Sequence, residues 1–137
     1  MIRTYVTPNP ISAHQLSTLI KDNSAGATVS FSGDVRNHDG GKIVSALTYE
    51  IHPSAEEVLE VVVNEVVLRH KIISAAVAHR YGEIAIGECA FAVAVSAAHR
   101  EAAFSACQDI VNTVKEKLPI WKHQQFADGT DEWVNFA

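Results

Sequence analysis

A proline in the last fifth of the chain limits how that part can fold. Pro119 lies between Lys115 and Lys122. Proline lacks the backbone N–H that a helix requires and disfavours helical geometry in the residue before it. A helix that carries Lys115 should therefore end near Leu118, and Lys122 should begin an extended segment. This arrangement brings two ammonium groups to one helix end, where a negative ligand could bind, although the helix macrodipole alone also favours lysines there.

The remaining chain alternates between strand and helix patterns. Period-2 alternation and apolar runs predict strands over residues 2–7, 27–35, 43–51, 73–81 and 88–96. Helical spacing predicts helices over about 12–23, 53–70 and 99–118, followed by a short hairpin around Asp128 and Gly129. We expect strands 27–35 and 43–51 to pair as a hairpin with a polar tip. The pattern predicts one α+β domain over residues 1–137, with a mixed, largely antiparallel sheet and helices packed on one side.

Composition excludes several classes of protein. The 137 residues are 47% hydrophobic and carry a net charge of -5, which disfavours a general nucleic-acid binder because the phosphate backbone attracts a surplus of Lys and Arg. Cys89 and Cys107 form neither a disulfide framework nor a zinc pattern. The N-terminus lacks an apolar signal segment, and no apolar run reaches the length of a membrane span. We therefore expect a cytoplasmic protein without membrane contact, in which any anion site is local.

Three groups of basic residues are candidates for that local site. They are Arg36 at the polar tip, His99 and Arg100 at the start of the last helix, and Lys115 and Lys122 around its end. A cation at a helix N-terminus opposes the macrodipole, whereas a bound anion would be stabilised there by the dipole and the free N–H groups. Arg100 therefore suggests an anion, although it could instead be exposed and paired with Glu101 or Glu83.

The length of the last helix separates two of these groups. From Arg100 to Lys115, fifteen residues at about 1.5 Å each span about 22 Å, which is too far for both to hold one small ligand. Either the two groups serve different sites, or a second copy of the chain is involved. We expect a two-fold symmetric dimer in which His99 and Arg100 of one subunit complete the lysine pocket of the other.

Five segments occur in a characteristic order over nearly the whole chain. They are FSGDVR (31–36), LTYE (47–50), RYG (80–82) with GE (87–88), AHR (98–100) with AF (103–104), and Lys115 followed by PIWK (119–122). In this order and spacing they resemble the catalytic large subunit of molybdopterin synthase. The resemblance implies an α/β hammerhead-type fold. It also implies a heterotetramer, in which a central homodimer of large subunits carries one small, ubiquitin-like sulfur-carrier subunit at each end.

The same resemblance implies a sulfurtransferase reaction in molybdenum cofactor biosynthesis. The carrier's C-terminal thiocarboxylate would donate sulfur, in two rounds, to cyclic pyranopterin monophosphate and so form the dithiolene of molybdopterin. Phosphate and thiocarboxylate are both anions, so the site needs several fixed cations. By analogy with the family, Arg36, His99 and Arg100 would hold the pterin phosphate, the last two from the partner subunit. Lys115 would be the central catalytic group with Lys122 as electrostatic support, and the step would need no metal or cofactor.

Two further residues of the polar tip are secondary candidates. His38 and Lys42 lie on the same loop as Arg36 and could touch substrate, but loop tips are often only solvated. The sequence also leaves open which lysine donates or accepts a proton.

Two other classes of protein are alternatives. A non-catalytic anion-binding regulatory domain would use the same arginines and histidine but would have no need for two lysines at a helix end. A metal-dependent hydrolase could recruit His38, Asp39 and His52, yet their spacing matches no standard ligand motif. The two lysines therefore favour the enzyme over both alternatives.

Overall fold

The computed structural model describes residues 1–135. Within them the chain forms nine strands and three helices: β1 (Ile2–Thr7), α1 (Ala13–Leu19), β2 (Ala27–Asp34), β3 (His38–Asp39), β4 (Lys42–Ile51), α2 (Ala55–Val67), β5 (Ser74–Arg80), β6 (Gly82–Ile84), β7 (Cys89–Ala97), α3 (Arg100–Lys117), β8 (Ile120–Phe126) and β9 (Asp131–Asn135). The α+β class predicted from the sequence is confirmed. No helix in this part of the chain combines the length and the apolar character that crossing a bilayer requires.

The first sheet has four strands in the order β1-β5-β7-β2. β1 runs parallel to β5, and the other neighbours are antiparallel. β5 and β7 are buried along almost their whole length. Strands buried on both faces are expected where helices cover a sheet from both sides.

Helices cover both faces of this sheet, which corrects the one-sided packing predicted from the sequence. Along β5 and β7 one face carries most of the larger side chains, including the valines, and the other face carries alanines. The valine face packs against α2 and α3 in the main core, through residues such as Leu59, Val63 and Ile110. The alanine face packs against α1 through Leu16 and Ile20. Alanines are small enough for a helix to approach closely, and this second face is what the sequence analysis overlooked.

The second sheet has the order β3-β4-β8-β9, with β6 also paired to β4. The predicted hairpin between strands 27–35 and 43–51 is wrong, because β2 pairs with β7 while β4 pairs with β8. The register of β2 shifts between Gly33 and Asp34, and the Val35 N–H then donates to the Glu88 carbonyl at 3.0 Å. The chain leaves the first sheet there. The true hairpin joins β3 to β4 through Gly40 and Gly41, whose φ angles are 56° and 78°.

The junction between α3 and β8 follows the prediction made from Pro119. α3 ends at Lys117, and Leu118 is extended, with φ -67° and ψ 124°. The Leu118 N–H still donates to the Val114 carbonyl at 2.9 Å, which completes the last helical turn. Leu118 and Ile120 are both buried in the main core, so they anchor the chain on either side of the proline.

Candidate active site

A small pocket lies where the end of β2 meets the second sheet. It holds about 60 Å³ and is lined by Asp34, Val35, Arg36, His38, Asp39, Leu47, Tyr49, Lys122 and Gln124. The β4–β8 register explains half of this lining, because Leu47 lies opposite Gln124 and Tyr49 lies opposite Lys122. Side chains on alternate residues of paired strands project from the same face. The extended segment after Pro119 therefore carries Lys122 into the pocket.

Arg36 reaches the pocket because the preceding residue is fixed. Val35 is buried in the main core, and its carbonyl accepts a hydrogen bond from the Gly87 N–H at 2.8 Å. The next side chain, Arg36, then projects outward at the rim, where it is 67% exposed. Its Nη2 lies 3.5 Å from Oδ1 of Asp39. The guanidinium is thus held close to the pocket but remains accessible to a ligand.

Asp39 gives the pocket an internal carboxylate. The side-chain amide of Gln124 donates to Asp39 Oδ2 at 2.7 Å. This hydrogen bond, followed by the charges of Lys122 and Arg36, lowers the pKa of Asp39 below its ordinary value. Asp39 is therefore ionised at neutral pH and occupies the position of a counter-ion. An incoming phosphate or thiocarboxylate would compete with Asp39 for Arg36 and Lys122.

Tyr49 and His79 form a buried aromatic pair next to the β-strand position of Lys122. Tyr49, which lies opposite Lys122, contacts the His79 ring edge-on with a centroid separation of 5.0 Å. Lys115 is exposed on the last turn of α3 and does not line the pocket of Lys122. Burial, followed by the charge of Lys115, lowers the pKa of His79 to about 4, and a hydrogen bond to the Arg80 carbonyl opposes the shift. The ammonium of Lys115 therefore acts on the ring that backs Tyr49.

His99 and Arg100 lie at the opposite end of α3. His99 is the N-cap residue, with φ -131° and ψ 153°, but its side chain caps none of the first N–H groups. Both residues border an open depression of about 490 Å³ that also includes Glu101, Phe104 and Ser105. Within residues 1–135, Arg100 forms no ion pair, including with the two acids suggested from the sequence. One chain does not bring these two residues to the pocket of Arg36 and Lys122.

The two secondary candidates have different surroundings. His38 lines the pocket, and its Nδ1 hydrogen-bonds with Oδ1 of Asn37 at 2.8 Å. Lys42 points instead to the turn between β8 and β9, where its Nζ lies 3.3 Å from Oδ2 of Asp128 and 5.2 Å from the centroid of the Phe126 ring. His38 remains a possible ligand contact, whereas Lys42 stabilises the turn in the structure described.

Tyr49, His79 and Gln124 were not identified as site residues from the sequence. His79 gave a usable signal, because it follows a run of alanine and valine in β5, and a polar residue that is fully buried among apolar neighbours is informative. The roles of Tyr49 and Gln124 depend on the β4–β8 register, which the sequence does not reveal. Among residues 1–135, no three His, Cys, Asp or Glu side chains are grouped to hold a metal, so His38, Asp39 and His52 form no such centre.

Similar proteins were found by sequence. A family model described as MoaE protein matches residues 6–117. The molybdopterin synthase catalytic subunit of Thermoplasma volcanium is 39% identical over 136 residues, covering 97% of this chain and 99% of that protein.

Solved structures have the same architecture. Molybdopterin synthase from Staphylococcus aureus superposes with a TM-score of 0.86 at 30% identity, covering 95% of each chain. A complex of subunits 1 and 2 of the molybdopterin-converting factor from Helicobacter pylori gives a TM-score of 0.70, covering 98% of this chain and 88% of that one, and at 17% identity it shows the fold alone. Fold and site define an α+β protein with a cationic pocket between two sheets. The chain belongs to the MoaE protein family.

Proposed function

We propose that this chain is the catalytic subunit of a molybdopterin synthase. It would transfer sulfur from the C-terminal thiocarboxylate of a small ubiquitin-like carrier to cyclic pyranopterin monophosphate. The observation that carries the proposal is the pocket that joins Arg36, Lys122 and Tyr49, whose ring contacts His79. The Thermoplasma volcanium relative, of which this chain covers 99%, bears the name molybdopterin synthase catalytic subunit. The regulatory alternative has no comparable support, because it does not account for the lysines.

The proposed roles follow from where negative charge lies during the transfer. A thiocarboxylate brings one negative charge, and its acyl carbon passes through a tetrahedral oxyanion. Fixed cations that face a developing charge stabilise the transition state strongly, because they need not reorganise. Lys115 would neutralise the thiocarboxylate and the oxyanion or move a proton, and Lys122 would support it. Arg36 would hold the pterin phosphate, displacing Asp39 as it does so.

A second copy of the chain would supply the rest of the phosphate site. Arg100 and Phe104 lie one turn apart on α3, so they share a face of the helix. Phe104 is 61% exposed and borders an apolar groove of about 400 Å³ that includes Val29, Phe31 and Val111. A second subunit packed over Phe104 would bury this groove. It would also receive His99 and Arg100 at its own lysine pocket.

The carrier subunit is the other proposed partner. The Helicobacter pylori structure is a complex of subunits 1 and 2 of a molybdopterin-converting factor, and its match to this chain shows the fold. The carrier is expected here because the chain belongs to the same family as the molybdopterin synthase catalytic subunits. We expect one carrier on each side of the dimer, giving a heterotetramer. A cytoplasmic location, expected from the sequence, is part of this proposal and can be tested by cell fractionation.

Reconstitution tests the proposed function. Purified protein is mixed with a thiocarboxylated carrier and cyclic pyranopterin monophosphate, and molybdopterin is measured in a single turnover. Lys115→Ala should lower the rate by about 10²- to 10³-fold, the usual cost of removing a group that stabilises developing charge. Lys117→Ala, on the same helical turn, is the matched control and should retain the wild-type rate. If the wild type forms no dithiolene with a carrier that is competent with another synthase, the proposed function is wrong.

A further inference from the structure

His79 is the most deeply buried titratable side chain near the proposed catalytic lysine. It follows Val77 on the face of β5 that is buried in the main core, opposite Phe91 of β7. Its ring is 1% exposed and is stacked on Phe91 with a centroid separation of 5.4 Å and an interplanar angle of 19°. Tyr49 closes the edge of the ring. The imidazole is therefore held in one orientation by aromatic contacts on two sides.

The hydrogen bonds of His79 define which ring nitrogen carries the proton. Nδ1 lies 2.8 Å from the Arg80 carbonyl oxygen, which can only accept, so Nδ1 carries the hydrogen. Burial keeps the ring neutral at physiological pH, because the pKa of His79 is lowered to about 4. Nε2 is then a bare lone pair. It is buried and has no hydrogen-bond partner among the described residues.

Burying a hydrogen-bond acceptor without a donor costs free energy. We therefore expect the folded protein to supply a donor for Nε2 of His79. Lys115, on the last turn of α3, is a charged side chain whose positive charge contributes, after burial, to the lowered pKa of His79. A lysine ammonium has three donors, no acceptor and a flexible stem, so it can turn toward the ring while α3 stays in place.

We propose that His79 is a positioning residue for Lys115, whose ammonium donates one N–H to the His79 Nε2 lone pair. The inference rests on the proposed function only in taking Lys115 as the catalytic group. One N–H directed to the imidazole fixes the ammonium against the inner wall of the site, and the other two donors stay free for the thiocarboxylate and the oxyanion. Because the ring is locked by Phe91, Tyr49 and the Arg80 carbonyl, the ammonium is held without a second charge.

The contact can be tested without any measurement of activity. Nitrogen-15 NMR of the histidine rings is recorded for the wild type, Lys115→Met and the matched control Lys117→Met. We expect the His79 Nδ1–H tautomer in all three proteins. The Nε2 resonance should move toward the position of a free lone pair in Lys115→Met and stay unchanged in the control. An Nε2 resonance that is the same in the wild type and Lys115→Met, or an Nε2–H tautomer, would overturn the proposal even if the enzyme is active.

The catalytic consequence needs a second comparison. His79→Gln can place an amide oxygen where Nε2 lies, whereas His79→Phe keeps the ring but removes the acceptor. Single-turnover sulfur transfer should fall about tenfold in His79→Phe, the worth of one hydrogen bond, with unchanged carrier binding. His79→Gln should recover a substantial part of that loss. Equal losses in both variants would mean a packing role and would contradict the proposal, and if His79→Phe does not fold, the NMR comparison decides.

Discussion

Asp39 has a role that is visible only at the scale of single residues. Its carboxylate lies beside Arg36 and accepts a hydrogen bond from Gln124, so the pocket contains its own anion. An ion pair this exposed contributes little to stability, on the order of 0–1 kcal/mol. The same weakness would let the proposed phosphate replace Asp39 at small cost. The pair would then keep Arg36 near the position proposed for phosphate binding without blocking the ligand.

The titration of Asp39 should reveal this arrangement. Gln124→Met removes the largest cause of the lowered pKa of Asp39, and Lys122→Met removes a smaller one, so both should raise that pKa and Gln124→Met should raise it more. Lys42→Met is the control, because Lys42 pairs with Asp128 instead. Carbon-13 NMR of the Asp39 carboxyl as a function of pH measures the three changes. A larger rise in Lys122→Met would mean that charge, and not the Gln124 hydrogen bond, dominates the carboxylate.

At the scale of elements, α3 is tied to α2 by a cluster of polar side chains. Asp109 on α3 accepts from Arg69 at 3.2 Å and pairs with His70 Nε2 at 2.8 Å, just after the end of α2. Thr113 donates to the other carboxylate oxygen at 3.2 Å. The hydrogen bond with His70, followed by those of Arg69 and Thr113, lowers the pKa of Asp109 below 3.8. The cluster fixes the helix that carries both Arg100 and Lys115.

Removing this cluster should destabilise the fold in a pH-dependent way. The pKa of Asp109 is lower in the folded than in the unfolded chain. Its contribution to the free energy of unfolding is therefore complete above pH 3.8 and disappears as the pH falls through the folded-state pKa. Asp109→Asn should reduce the free energy of unfolding by about 1 kcal/mol at neutral pH, a small value because the cluster is partly exposed. Urea unfolding at neutral pH and well below pH 3.8 measures this.

The control for that experiment is Glu116→Gln, an exposed acid on the same helix. It should leave the free energy of unfolding within about 0.5 kcal/mol of the wild type at neutral pH. A deficit in Asp109→Asn that is as large in acid as at neutral pH would contradict the assignment, since the carboxylate would then not be the stabilising group.

Local patterns predict the elements of this fold better than their pairing. Pro119 located the end of α3 and the start of β8, because its constraint acts on its immediate neighbours. The hairpin between 27–35 and 43–51 failed because the irregularity at Gly33 and Asp34 redirects the chain, and sequence proximity does not reveal such a turn. The second helical layer was missed for a similar reason. Alanines on β5 and β7 look like ordinary strand residues until α1 is seen against them.

The site shows the same division between local and long-range information. Lys122 and Arg36 could be chosen from the sequence because charge and motif are local properties. Their meeting depends on β8 pairing with β4 far upstream, where Tyr49 faces Lys122. Tyr49 and Gln124 could not be assigned before that pairing was known. Their polar atoms acquire roles only from the neighbours that folding brings.

At the scale of the whole molecule, the proposed dimer would explain why the basic groups are divided between the ends of one helix. α3 is a single helix of 18 residues, so Arg100 and Lys115 remain far apart in one chain. Each end would then serve a different pocket of a symmetric dimer. His99 and Arg100 would lie beside the lysines of the other subunit.

Subunit mixing tests this division. Arg100→Ala and Lys115→Ala should each be inactive alone. After subunit exchange at equal amounts, about half of the dimers are hybrids with one intact pocket, so about a quarter of the wild-type activity should return. The matched control mixes Lys115→Ala with Lys122→Ala, which affect the same half of the pocket and should give no rescue. Mass spectrometry verifies the subunit exchange. If the first mixture then regains no activity, the proposed composite pocket is wrong.

The pocket between the two sheets forms at a particular stage of synthesis and folding. Arg36 and Tyr49 are synthesised long before Lys122, and the pocket closes only when β8 pairs with β4. Strand pairs this distant in sequence form late in folding. The long loop between them must first close, at a cost in conformational entropy, before the stabilising contacts can form. A chain still emerging from the ribosome therefore carries half a pocket and would have little hold on the proposed pterin substrate. Substrate capture would thereby be reserved for molecules that have finished folding.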